Sequence, residues 1–273
     1  MATEPTSSCG QVTGVANLRA IADLPPYLRH DGPLAFAHRG GGLEAPENTM
    51  MAFERAVDMG FGYLETDARL TRDGVVVAFH DPVLDRVTDG RGRIAELGWE
   101  EVTEARVQGV EPVARLEDVL RAWEGVRFNI DPKCDEVVVP LAELVLGLGM
   151  TERVCFGSFR ASRTWRLAKL LGPATCRSLG PLGVTRLRAA SLGLPIPTAA
   201  RGAACVQVPA FIEGRALVDR RFVEQAHAGG LQVHVWTVDD PDHMHRLLDM
   251  GVDGLMSDRP SVLRRVLDAR GVW

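Results

Sequence analysis

At 273 residues, 46% apolar and 25% charged, the chain has the size of one α/β barrel and the composition of an ordinary globular protein. A net charge of −5 argues against nucleic acid or an anionic membrane surface as the main partner. No run of about 18 apolar residues is present to cross a bilayer, so no stable membrane association is expected.

Residues 1–32 contain proline and serine with weak patterning, and are expected to form an N-terminal arm with one short helix at most. The first ten residues carry neither a basic stretch nor an apolar core, so no secretory signal is expected and the location is read as cytoplasmic. Cys9, Cys134, Cys155, Cys176 and Cys205 are odd in number and scattered, with no CxxC pair. Their spacing suggests neither a zinc site nor a disulfide framework, and they read as reduced thiols.

Leu34 to His38 is the first expected strand. Pro46-Glu47-Asn48-Thr49 opens a helix, with proline at an early position and Glu47 capping the positive end. Met51, Phe53, Ala56 and Val57 supply its apolar face. Gly62 to Leu70 is the second strand, and alternation puts Tyr63, Glu65, Asp67 and Arg69 on one side. A turn over residues 71–74 precedes an apolar run, Val75 to Phe79, that delivers His80. Residues 82–115 form a short, loop-like insertion with helical pieces near 99–106.

Helices over 116–123 and 137–148 flank a strand at 126–130 that delivers Asp131 and Lys133. Further strands are expected at 154–159, 174–179, 203–208, 231–238 and 254–257. Helices at 161–171, 218–228, 242–250 and 261–269 lie between or after them. Alternating strands and helices make βαβ units and a parallel sheet. Their number favours a closed (β/α)8 TIM-type barrel, spanning residues 33–273 as one domain, over an open sheet. Nine strand candidates compete for eight places, and the short turn at 71–74 marks one of its flanking runs as the exception.

The C-terminal strand ends of such a barrel carry the active site. His38-Arg39-Gly40, Glu65-x-Asp67, His80-Asp81 and Asp131-x-Lys133 all fall there and interrupt apolar runs. Buried charge is costly unless it is paired or holds a metal. Glu65 and Asp67 share a strand face and can grip one cation, with Asp131 as a third ligand. Carboxylate oxygens favour Mg²⁺ or Ca²⁺. His38 and His80 titrate near neutral pH and are the acid/base candidates.

Arg39 offers a planar fork for phosphate, and the glycines after it allow close approach of backbone to a ligand. Lys133 is one of only two lysines in an arginine-rich chain, the other being Lys169. The bland alternatives are two surface acids, two structural histidines and a lysine paired with Asp131. His234 could share a face with Trp236, Gln207 faces either the cleft or a neighbour, and Asp239-Asp240 reads as a helix cap. Asp253 and Asp258 read as structural.

The series His38-Arg39-Gly40, Pro46-Glu47-Asn48-Thr49, Glu65-x-Asp67, His80-Asp81 and Asn129-Ile130-Asp131-Pro132-Lys133 resembles the glycerophosphodiester phosphodiesterase family. It continues with Gly157-Ser158-Phe159, Val235-Trp236-Thr237-Val238, Gly251-Val252-Asp253-Gly254 and Ser257-Asp258-x-Pro260, so that the likeness covers about residues 34–268. The resemblance implies a barrel of phospholipase-C-like phosphodiesterase architecture that depends on a divalent cation. Its substrate is a small glycerophosphodiester, and its products, glycerol 3-phosphate and an alcohol, belong to lipid and glycerol metabolism. Carried over by position, His38 and His80 are the acid/base pair, while Glu65, Asp67 and Asp131 hold the metal. Arg39 and Lys133 bind phosphate, Phe159 and Trp236 line the substrate wall, and Asn48 orients its neighbours.

Two departures stand out. The family usually has Glu at the position of Asp131 and rarely follows it with proline. Its lid-forming insertion is short here, which implies an open cleft and broad headgroup specificity. The alternatives are a lysophospholipase D-like activity, a non-catalytic phosphate-binding barrel, and a Schiff-base aldolase using Lys133. A monomer and a homo-oligomer are equally compatible with the chain.

Overall fold

Short runs rich in Val, Leu, Phe, Ala and Ile fold as parallel strands covered by helices. In the computed structural model, which describes residues 24–198 and 200–273, they are β1 (Leu34–Ala37), β2 (Tyr63–Leu70), β3 (Arg127–Pro132), β4 (Val154–Phe156), β5 (Cys176–Arg177), β6 (Cys205–Pro209), β7 (Gln232–Trp236) and β8 (Gly254–Ser257). Cys9 and the expected arm up to residue 23 lie outside the described residues. The strands run in the order β6-β7-β8-β1-β2-β3-β4-β5. The ring closes between β5 and β6 through a single parallel bridge, Ser178 to Cys205. Two backbone hydrogen bonds support it, Leu179 N to Cys205 O at 2.8 Å and Ala204 N to Arg177 O at 3.0 Å.

The helices are α1 (Met50–Asp58), α2 (Trp99–Glu104), α3 (Leu116–Ala122), α4 (Val138–Gly147), α5 (Ala161–Leu171), α6 (Pro181–Ser191), α7 (Arg220–Ala228), α8 (Pro241–Asp249) and α9 (Pro260–Ala269). The starts of α1 and α8 are held by side chains: Thr49 accepts from Ala52 N, and Asp240 accepts from His243 N. Pro46 and Glu47 therefore precede α1, and the cap expected of Glu47 is made by Thr49 instead.

The ninth strand candidate is Val76–Ala78. It turns back antiparallel on β2, with Ala68 opposite Ala78, and also pairs with Ala114–Arg115. The turn between them is too short for a crossover, so only an antiparallel neighbour can follow it. Residues 82–115 fold around an apolar cluster in which Leu84, Ile94, Val102, Val107 and Val113 pack with Val77 and Phe79. This lobe stands beside the barrel mouth.

Helix α6 is not legible in the sequence. It starts at Pro181 after Gly180 and buries only Leu187 and Ser191, so it carries almost no apolar periodicity. The short hairpin Phe211–Ile212 with Arg215–Ala216 was likewise unexpected. Both rise beside the mouth on the side opposite the 82–115 lobe's attachment to β2.

The barrel floor is closed from below. Tyr27 and Leu28, in a 3-10 turn, are 1% and 0% exposed, and Tyr63 donates through its hydroxyl to the Tyr27 carbonyl at 2.8 Å. Leu28→Ala is expected to lower unfolding stability by about 3 kcal/mol, as for other buried leucines. A denaturant titration showing a loss under about 0.5 kcal/mol would mean that this segment is detachable from the barrel.

Candidate active site

β1 ends at Ala37, and the chain turns at once into a tight turn, His38–Gly40. A Cβ on Gly40 would lie 2.7 Å from the Ala52 Cβ, and one on Gly41 would lie 2.6 Å from the Pro260 Cγ. These glycines therefore serve close packing of the turn between α1 and α9, a different role from the ligand approach expected of them. The turn presents His38 to the cavity and directs the Arg39 N–H to Glu65 Oε2 at 3.1 Å.

Alternation along β2 points Glu65 and Asp67 inward, at 5% and 1% exposure. The parallel register sets Asp67 beside Asp131. Asp67 accepts from Asn48 Nδ2 at 2.9 Å and faces two cations, Lys133 Nζ at 2.8 Å and Arg39, whose Nε forms an ion pair with it at 3.2 Å. Asn48 also accepts from Thr66 Oγ1 at 2.8 Å, so it orients its neighbours as expected of it. Lys133 bridges to Asp131 Oδ2 at 2.6 Å.

The two buried carboxylates titrate apart. Burial pushes Asp67 up, but the Lys133 and Arg39 cations outweigh it and hold its pKa down at about 2. Glu65 is raised to about 7, first by burial, because His38 and the more distant cations do not offset it. Burial would lower the His38 imidazole, yet the Glu65 and Asp258 carboxylates raise it above its ordinary value.

Each histidine is backed by a carboxylate. His38 Nδ1 donates to Asp258 Oδ1 at 2.7 Å, which leaves Nε2 facing the cavity 3.6 Å from Glu65. His80 Nδ1 donates to Asp81 Oδ1 at 2.6 Å. Asp81 in turn pairs with Arg86, which reaches Glu47 at 2.7 Å, and Glu47 also accepts from Arg39 at 3.1 Å. Glu47 thus links the phosphate-binding candidate Arg39 to the support of His80. A carboxylate on Nδ1 fixes the ring and leaves Nε2 as the reactive nitrogen.

His38, Arg39, Glu65, Asp67, His80, Asp131, Lys133, Phe159 and Trp236 all line one cavity of about 510 Å³. Its far wall is apolar and includes Phe159, Val184, Ile212, Leu217 and Trp236. Phe159 is 73% exposed and meets Trp236 edge-on at 5.7 Å. No residue of 82–115 lines the cavity.

Gln207 faces both alternatives considered for it: it lines the cavity and donates to Asn129 Oδ1 at 2.7 Å. Asp253 holds His227 at 2.7 Å and is structural. His234 lies outside the cavity lining, beneath Gln207. Asp258 was missed as a site residue; its serine-aspartate context carries no signal of contact with a histidine 220 positions away.

A (β/α)8 barrel whose mouth sets two carboxylate-backed imidazoles beside an Arg–Lys pair is the layout of a phosphoric diester hydrolase. The chain belongs to the glycerophosphoryl diester phosphodiesterase family, which matches over residues 38–262. It is 40% identical over 254 residues to the protein named probable glycerophosphodiester phosphodiesterase 2 of Mycobacterium tuberculosis, covering 90% of this chain and 95% of that one. It is 30% identical over 244 residues to the glycerophosphodiester phosphodiesterase of Caldanaerobacter subterraneus, covering 84% and 96%. The crystal structure of a glycerophosphodiester phosphodiesterase from Agrobacterium tumefaciens has the same fold, with a TM-score of 0.69, 24% identity and coverage of 85% and 99%.

Enzymes of this family generally depend on a divalent metal. The donor set here suits a hard cation: the donors are carboxylate oxygens, and burial together with the neighbouring Asp67 carboxylate raises Glu65 to about 7, a cost that a bound cation would relieve. Lys133 Nζ sits between Asp67 and Asp131, so Asp131 could join Glu65 and Asp67 on one ion only once that ammonium moves aside.

Asp258→Asn removes one of the two carboxylates that raise His38. An NMR titration of the imidazole is expected to show its pKa falling relative to wild type. A pKa that does not move would mean that Asp258 does not govern the protonation of His38.

Proposed function

We propose that this barrel hydrolyses glycerophosphodiesters to glycerol 3-phosphate and an alcohol, with His38 and His80 exchanging protons with the reacting groups. The observation that carries this reading is the pair of imidazoles, each held through Nδ1 by its own aspartate and both facing one cavity that contains Arg39 and Lys133. Binding alone needs cations; it does not need two oriented acid/base groups. The catalytic unit in this reading is the barrel, residues 33–273, with Tyr27 and Leu28 of the preceding segment sealing its floor.

Arg39 and Lys133 draw the anionic diester into the mouth. Their positive charge favours the transition state, in which negative charge on the phosphoryl oxygens grows. One imidazole Nε2 accepts the proton of the attacking hydroxyl, either the glycerol 2-hydroxyl of the substrate or water. The other Nε2 gives its proton to the departing alcohol. Attack by the 2-hydroxyl gives a cyclic phosphate, which water then opens with the two roles exchanged. Glu65, Asp67 and Asp131 are the proposed holders of a divalent cation, Mg²⁺ or Ca²⁺, which adds Lewis-acid stabilisation of the phosphoryl oxygens. The four described cysteines are free, which suits a reducing compartment, and we assign the enzyme to the cytoplasm.

A second substrate class is favoured by a specific observation. The wall away from the carboxylates is apolar, and Leu182, Phe211 and Ile212 add exposed apolar surface near its rim, at 79%, 52% and 51%. An acyl chain would bury there at about 0.8 kcal/mol per CH₂. Lysophospholipids are therefore proposed as further substrates, cleaved with lysophospholipase D-like outcome.

The test is phosphomonoester release from glycerophosphocholine and from a soluble lysophosphatidylcholine, with and without EDTA, by wild type and His38→Ala. Wild type is expected to turn over both substrates, to lose activity in EDTA, and to regain it with Mg²⁺ or Ca²⁺. His38→Ala is expected to fall below about a hundredth of the wild-type rate. An unchanged rate in His38→Ala removes it from the chemistry, full activity in EDTA removes the metal, and inertness toward the lysolipid removes the second class.

A further inference from the structure

Cys155, Cys176 and Cys205 are far apart in the chain, yet they lie on β4, β5 and β6 as three successive staves of the barrel. Cys155 and Cys176 are register partners, and Cys205 bridges to Ser178 across the closing seam. All three point into the barrel floor and are 0%, 1% and 0% exposed. Their sulfur atoms lie within 4.8 Å of one another, and Cys155 and Cys205 are 3.9 Å apart with no disulfide. Zinc–thiolate bonds of about 2.3 Å in a tetrahedron set sulfurs roughly 3.8 Å apart. The cluster thus needs a contraction of about 1 Å at most to meet that spacing. The sequence spacing of these cysteines suggests no metal site, yet the curvature of the barrel brings their thiols together.

A second observation points to the same spot. The Tyr27 hydroxyl is buried in this floor, in the same cluster as the three cysteines, and has no hydrogen-bond partner among the described residues. A buried hydroxyl left without a partner is destabilising unless something answers it.

We propose that the barrel floor holds a thiophilic divalent cation, zinc, on Cys155, Cys176 and Cys205, with the Tyr27 hydroxyl on the open fourth side. Binding forms three zinc–sulfur bonds and releases the three thiol protons to solvent. Three thiolates and one Zn²⁺ leave a net charge of −1, and Arg177, on β5, is the nearby cation that offsets it. Soft thiolates select zinc over the hard cation suited to the carboxylates at the mouth, so the two sites do not compete for one ion. The metal ties β4 and β5 to β6 where a single backbone bridge closes the ring. Its role is to staple that seam.

The test is titration of reduced, metal-free protein with Co²⁺ and then Zn²⁺, in excess Mg²⁺ so that the mouth is filled. The near-ultraviolet sulfur-to-cobalt absorption reports thiolate ligation alone. About one Co²⁺ per chain is expected to bring up this band, Zn²⁺ to abolish it, and zinc to raise the unfolding temperature. Asp131→Asn, at the mouth, is expected to leave the band unchanged. Cys176→Ala is expected to bind zinc at least about 100-fold more weakly. Cys155→Ala serves as the second variant should Cys176→Ala fail to fold. A wild-type protein that gives no sulfur-to-cobalt band, or a cysteine variant that binds zinc as tightly as wild type, overturns the proposal.

Discussion

Asp67 is an almost fully buried carboxylate whose partners reach it from three other parts of the chain. Asn48 comes from the loop before α1, Arg39 from the turn after β1, and Lys133 from the end of β3. An ionised carboxylate is tolerated at such depth only if its lone pairs are answered by donors. That requirement fixes where the turn after β1 lies, why Asn48 adopts a left-handed backbone with φ of 59°, and which way Lys133 points. The geometry of the mouth follows from satisfying this one group.

The same requirement explains the divided character of Glu65 and Asp67. They share a strand face two residues apart, but the cations crowd Asp67. Glu65 keeps one backbone N–H and the edge of an imidazole that it helps to raise. The pair therefore consists of one carboxylate saturated with positive charge and one left short of it. Outside this pair, charged chains continue the pattern: Asp258 on one histidine, and Asp81, Arg86 and Glu47 on the other. Arg39 joins the second support to the buried pair, touching both Glu47 and Asp67.

Much of this was legible from the residues alone because strand alternation and barrel topology are local and periodic. Polar residues ending apolar runs, such as His38 and Asp131, mark strand ends and line the cavity, and so do Phe159 and Trp236, whose place there the family resemblance implied. What escaped had no local signature. Asp258 reaches His38 across 220 positions, and Glu47 was read as a cap because its helix context masked two arginines folded over it. The thiols converge only through the curvature of the closed sheet. Helix α6 hid because it buries so little that its pattern is nearly featureless.

The central claim is that the charge on Asp67 organises a phosphodiester-cleaving mouth. The most direct measurement is the rate of glycerophosphocholine hydrolysis by Asp67→Asn, a substitution that keeps the shape and removes the charge. The account predicts a fall of at least about 100-fold in kcat/KM, equivalent to about 2.7 kcal/mol of lost transition-state stabilisation, in a protein with a wild-type circular dichroism spectrum. A folded Asp67→Asn enzyme working within about threefold of the wild-type rate would contradict it.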